Sequence, residues 1–189
     1  MILNQEIIKN ILKELFRKRN YISEGDLRVN FVVALDRLYQ PKYIIANFPV
    51  KCADRTVYED LRIVDEEGNA FLIEFKYCPS KVPIPFGGFE VETRKRTPKK
   101  KRVARFNEDC ERIRQMMCSE TSNDIRAAFC IFITNQKNLT KNTPFPFEEL
   151  SADFKICIQE IQNNAGTTAD DLTTDVIIEE KNQGGMSDE

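Results

Sequence analysis

The sequence predicts an α/β fold with a central mixed sheet flanked by helices, and three observations carry that prediction. Two segments near the start, residues 2–18 and 23–39, repeat apolar residues at helical spacing. Three β-like segments follow, at Tyr43 to Val50, Thr56 to Val64 and Asn69 to Tyr77. A further helical stretch then leads into the strongly apolar run AAFCIFIT, giving the order helix, three strands, helix, strand.

Each element has its own justification. In residues 2–18, Ile7, Ile8, Ile11, Leu12 and Leu15 fall on one side, with Lys9, Lys13, Arg17 and Lys18 interspersed, an amphipathic helix. Ser23 can cap a second helix, which runs to about Tyr39 and is stopped by Pro41; its apolar stripe is Leu27, Phe31, Leu35 and Leu38. Stepping back along that stripe brings Glu24 onto the inward face. The DEEGN segment has the composition of a hairpin turn between the second and third strands. Residues 78–102 form a long connection in which PIPFGGFEVE predicts a small hairpin at Gly87-Gly88, followed by RKRTPKKKR. A helix from about Val103 to Met117 and a strand from Ala127 to Thr134 complete the core. Beyond Asn135, Asp153 to Ile158 alternates like a strand and TTDVIIEE is a further candidate.

Charge divides the chain in two. From Asn163 onward seven acidic residues stand against Lys181, a net of −6; with −2 overall, residues 1–162 carry +4. The expected organisation is one domain over residues 1–162 and an acidic, flexible C-terminal tail over residues 163–189. No run approaches the ~20 apolar residues of a membrane helix. The six cysteines lack metal-ligand spacing, and no signal-peptide pattern opens the chain, so free thiols in a reducing cytoplasm are expected. Histidine is absent altogether. Every mechanism built on an imidazole is thereby excluded, and catalysis must run on carboxylates, lysine, hydroxyls, thiols or an oxygen-bound metal.

Against that background FLIEFKY, residues 71–77, stands out. Two charges in an apolar strand cost several kcal/mol of desolvation, of the order known for buried ions, unless they are paired or bind something. Strand alternation sends Glu74 and Lys76 to one face and Phe71, Ile73 and Phe75 to the other. If the DEEGN turn pairs the strands, Asp60 in VYEDLRIV comes beside Glu74 on the same face. Glu59 points the other way, so a slip of register would exchange the two. Adjacent carboxylates repel unless one is protonated or a cation lies between them, and oxygen ligands of this kind suit Mg²⁺ or Mn²⁺. A lysine alongside suits metal-assisted phosphodiester hydrolysis.

Asp60, then Glu74-Phe75-Lys76, with Glu24 on a preceding helix, resembles the PD-(D/E)xK nuclease superfamily. Ser23-Glu24, Pro49-Val50, Arg55 with Tyr58 and Asp60, Glu74 to Tyr77, and Thr134-Asn135 resemble a group of uncharacterised prokaryotic members more closely, over about residues 20–136. The resemblance implies a restriction-endonuclease-like αβββαβ core. It also implies that Asp60 and Glu74 hold Mg²⁺ or Mn²⁺ with the Phe75 carbonyl, that Lys76 positions or activates water, and that Glu24 anchors a metal-bound water or a second ion. The expected activity is endonucleolytic cleavage of DNA leaving 5′-phosphate and 3′-hydroxyl ends, and a homodimer is compatible with it. The strand carrying Asp60 lacks the proline of the superfamily name, and the later helix opens on Lys99-Lys100-Lys101-Arg102 where other members more often carry glutamine, so no catalytic glutamine is assigned.

The basic run, Arg94, Lys95, Arg96, Lys99, Lys100, Lys101 and Arg102, reads either as a solubilising loop or as a phosphate-contacting surface. Arg105, Arg112 and Arg114 extend it into the helix, which favours nucleic acid. Two alternatives share the fold: a catalytically inert member that binds nucleic acid or a protein, and a nuclease directed at RNA.

Overall fold

Asn4 opens the first helix, its side chain accepting the Ile7 N–H, and α1 (Gln5–Lys18) buries Ile8, Ile11, Leu12, Leu15 and Phe16. Glu6 in its first turn and Arg17 and Lys18 in its last complement the helix dipole. Ser23 caps α2 (Glu24–Tyr39) through the Asp26 N–H, as its position predicts, and Gln40 ends it in the left-handed conformation at φ 45°. Leu27, Phe31 and Leu35 are buried. Leu38 continues their stripe by spacing yet is 63% exposed, one turn past the last buried contact.

The chain, seen in a computed structural model, is described over residues 3–52, 55–80, 83–86, 89–92, 99–117, 124–141 and 143–162. Its strands are β1 (Tyr43–Cys52), β2 (Arg55–Val64), β3 (Ala70–Cys78), β4 (Pro83–Phe86), β5 (Phe89–Glu92), β6 (Ile125–Thr134), β7 (Glu148–Glu149) and β8 (Lys155–Gln162). The remaining helices are α3 (Lys99–Met117) and α4 (Lys137–Lys141). Six strands form one mixed sheet in the order β1-β2-β3-β6-β8-β7, with β3 and β6 parallel and the other neighbours antiparallel. The α/β class is therefore as expected, as is the small hairpin, where Phe86 pairs with Phe89. Neither α4 nor β7 was anticipated, and α3 begins four residues before the position its apolar period indicates. The acidic tail, TTDVIIEE within it, and Arg94, Lys95 and Arg96 lie outside the described residues. No described helix is long and apolar enough to cross a membrane.

Two apolar layers sandwich the sheet. On one face α1 and α2 cover Leu61, Ile63, Phe71, Ile73, Phe75, Tyr77 and alternate residues of β6. On the other, Phe106, Cys110, Ile113, Met116 and Met117 of α3 cover Ala70, Leu72, Cys78 and the complementary residues of β6. Alternation within β3 thus sends Glu74 and Lys76 toward α3. The turn ahead of β3 is closed by buried Asp65, whose carboxylate accepts the Asn69 N–H at 2.8 Å, and by Gly68 at φ 88°, a conformation that side chains disfavour.

Candidate active site

The site lies where two strands part. β2 and β3 pair from Val64↔Ala70 to Leu61↔Ile73 and then separate, while β3 stays paired with β6 as far as Cys78↔Thr134. β1 remains with β2 on the far side of the fork, but no pair forms between Asn47 and Asp60, and Asn47 takes a left-handed φ of 52°. Across this interruption the pleat changes phase. Ile44, Leu61 and Ile63 pack on the α1/α2 face, whereas Val50 and Val57, beyond Asn47 and Asp60, pack on the α3 face. Asp60 sits at the reversal, so its carboxylate reaches sideways toward β3 instead of standing straight out from one face.

There it replaces a missing strand. The Phe75 N–H, on the edge that β2 has left, donates to Asp60 Oδ2 at 2.8 Å, and two residues further the Tyr77 N–H donates to Glu24 Oε2 at 2.8 Å. Buried backbone donors need partners, and here two carboxylates supply them. The Phe75 carbonyl points to the same edge as its N–H, because both main-chain groups of a strand residue face the same neighbour. Its ring is buried against Phe31 at 5.3 Å between centroids. Of the four residues predicted to act together, Asp60 therefore stands beside the Glu74–Phe75 peptide, and Glu24 stands two residues further along β3, at Tyr77.

Glu74 and Lys76 meet α3. Arg112 Nη2 lies 2.8 Å from Glu74 Oε1, Arg112 Nη1 lies 3.2 Å from Asp109 Oδ1, and Lys76 Nζ lies 2.8 Å from Asp109 Oδ2. The last joins the lysine ammonium to a buried carboxylate oxygen. Arg28 Nη1 donates to Asp60 Oδ1. Four carboxylates thus face three cations, Arg28, Lys76 and Arg112.

Burial and the charge of Asp60 push the Glu74 carboxyl up to about 7, against the pull of Arg112. Glu24 is also raised from its ordinary value, chiefly by burial, with the Tyr77 N–H and Lys76 working the other way. For Lys76, burial favours the neutral amine, but Asp109, Glu24 and Glu74 outweigh it and hold the ammonium above its ordinary value. Lys76 is a cation here.

A divalent ion suits this donor set. Carboxylate repulsion at Glu74 is relieved by positive charge. Among the described residues no three His, Cys, Asp or Glu side chains gather as a ready-made ligand cluster. The fitting ion is accordingly one content with one or two carboxylates, a carbonyl and water, as Mg²⁺ and Mn²⁺ are. Asp60, Glu74 and the Phe75 carbonyl could hold it.

The strand's far end is clasped. Thr134 Oγ1 donates to the Cys78 carbonyl at 2.8 Å, Gln136 Nε2 donates to the Cys78 and Pro79 carbonyls, and the Ser80 N–H donates to Asn135 Oδ1. Thr134-Asn135 therefore fixes the exit of β3. Glu59 is buried and taken by Arg62 through two hydrogen bonds of 2.9 and 3.0 Å, which removes it as a rival to Asp60. Of the basic run, Lys99 and Lys100 lie in the first turn of α3, and Lys101 and Arg105 are exposed. Arg102 is only 9% exposed. Because α3 starts at Lys99, Arg102 falls four residues before buried Phe106 on its inward face.

Sequence reasoning did not reveal Arg28, Asp109 or Arg112 as members of the site. Arg28 carried one signal, its place one turn after Glu24 on α2. The described clefts lined by Asn135, Lys137 and Lys155, and between α1 and α2, contain none of the site residues. Comparison of the chain with family models, with curated proteins and with solved structures finds no match.

Proposed function

We propose that this chain is a divalent-metal-dependent phosphodiester hydrolase of the PD-(D/E)xK type, an endonuclease acting on DNA. One observation carries the reading: Asp60 caps the Phe75 N–H at the fork, beside a Glu74 whose proton affinity Asp60 raises. The connectivity supports it, since a helix precedes three antiparallel strands and α3 leads to a strand parallel to the third, in keeping with a restriction-endonuclease-like core.

In this reading Mg²⁺ or Mn²⁺, held by Asp60, Glu74 and the Phe75 carbonyl, supplies Lewis-acid charge at the scissile phosphate. Lys76, kept protonated by Asp109, orients the attacking water and offsets the negative charge that grows on the phosphate. Glu24 fixes the Tyr77 peptide and with it the direction of Lys76. Exposed Lys101 and Arg105 take neighbouring phosphates.

The full-length protein incubated with duplex DNA, single-stranded DNA and RNA, with and without Mg²⁺ or Mn²⁺, is the direct test. Metal-dependent DNA cleavage is expected, with losses on the order of a hundredfold or more in Glu74→Ala and Lys76→Ala proteins. Equal cleavage by the variants would count against the site, and cleavage of RNA alone would change the substrate. A second reading, an inert binding member of the same fold, is favoured by the arginines already paired with Asp60 and Glu74. It predicts salt-sensitive nucleic-acid binding and no product on any substrate.

A further inference from the structure

The proposed site holds its own cation. Arg112 occupies Glu74 Oε1 at 2.8 Å, where the nuclease reading requires a metal contact, and its other arm rests on Asp109 at 3.2 Å. An arginine is never neutral in a protein, so it cannot yield by losing a proton. A divalent ion that takes Oε1 displaces it. Arg112 also has room to move: its side chain is 26% exposed, against 10% for Glu74, and Asp109 Oδ1 offers a tether that survives the loss of Glu74. Along α3, residues four and eleven after Lys101 return to nearly the same side of the helix, which aligns Lys101, Arg105 and Arg112 as a basic stripe leading into the fork, interrupted by exposed Glu108.

Resting on the nuclease reading, we propose that Arg112 is an exchangeable counter-ion that Glu74 gives up when a divalent cation binds, and that the released guanidinium takes a phosphate of the nucleic-acid strand. The site is thereby regulated by ion exchange. Without metal, Oε1 of Glu74 is masked, and with metal the same arginine becomes a phosphate contact. A guanidinium suits both partners, because its planar fork matches carboxylate and phosphate alike.

Mn²⁺ binding to the full-length protein, free of nucleic acid and followed by electron paramagnetic resonance, tests the first half without any turnover. Arg112→Gln should bind Mn²⁺ about two- to fivefold more tightly than the wild type, the range for removing a partly exposed ionic competitor. Arg112→Lys, which keeps the charge, should remain near the wild type. In the wild-type protein with ¹⁵N-labelled arginine, the side-chain resonance of Arg112 should shift on adding Mg²⁺, a readout independent of any variant's folding. For the second half, stopped-flow anisotropy of a short labelled duplex with Mg²⁺, read before turnover, should show weaker binding by Arg112→Gln and a salt slope smaller by about 1. Unchanged Mn²⁺ affinity in Arg112→Gln, or an unmoved resonance, overturns the exchange while leaving the nuclease reading intact if the wild type still binds metal. An unchanged salt slope overturns the phosphate contact. Absence of Mn²⁺ binding in both proteins overturns the exchange and the metal-dependent reading together.

Discussion

The two halves of β3 are built on opposite plans. From Ala70 to Ile73 the strand has a neighbour on each side, β2 and β6, and its side chains are wholly apolar and buried. From Glu74 to Cys78 β2 is gone, two main-chain N–H groups turn to Asp60 and Glu24, and the strand carries both its charges. One strand therefore serves as core and as site, and the change occurs within a single residue step. Opening the ladder costs two peptide hydrogen bonds, and the carboxylates that restore them bring negative charge to a half-buried place. The charged groups gather where the sheet stops.

Residues on either side of that boundary should respond differently to truncation. Ile73→Ala, in the paired half, removes buried methyl groups from the α1/α2 layer and should cost about 2–5 kcal/mol, read by chemical denaturation. Asp60→Ala, at the fork, strands the Phe75 N–H and Arg28 and should cost about 1–3 kcal/mol while abolishing metal-dependent cleavage. Asp60→Asn keeps an acceptor for that N–H and should recover much of the stability, but not the cleavage.

Glu74→Gln sharpens the contrast by changing sign. A carboxyl whose pKa rises from 4.5 to about 7 on folding binds its proton more tightly in the native state. Its contribution to stability is therefore full below about 4.5 and is lost as pH rises through about 7. Unfolding free energy should fall across that window by something on the order of 1–3 kcal/mol, and Glu74→Gln should flatten the fall and be the more stable protein near pH 8. A rising profile in the wild type would contradict the arrangement. Smallest is Ser23→Ala, which removes the cap of α2 just ahead of Glu24 and should cost about 1 kcal/mol, measured by thermal melting.

Much of this was legible from the residues. The helices α1 and α2 declare themselves by apolar spacing and caps, and β3 and β6 by continuous apolar runs. Glu74 and Lys76 were visible because charge is anomalous in such a run, and Asp60 because the turn fixes its register. What escaped depends on contacts between distant segments. Arg112 meets Glu74 only because α3 crosses the sheet at that height, which no local pattern encodes. The start of α3 was missed because lysines favour a helix without contributing an apolar period. Two-residue β7 and five-residue α4 are too short to have a period at all. The phase reversal at Asn47 and Asp60 hides for another reason: alternation on each side is regular, and only the core partners reveal the change.

The clasp at the end of β3 has a mechanical consequence. Four hydrogen bonds from Thr134, Asn135 and Gln136 grip the chain from Cys78 to Ser80 before it departs for α3. A pull arriving from downstream is absorbed there, two residues short of Lys76.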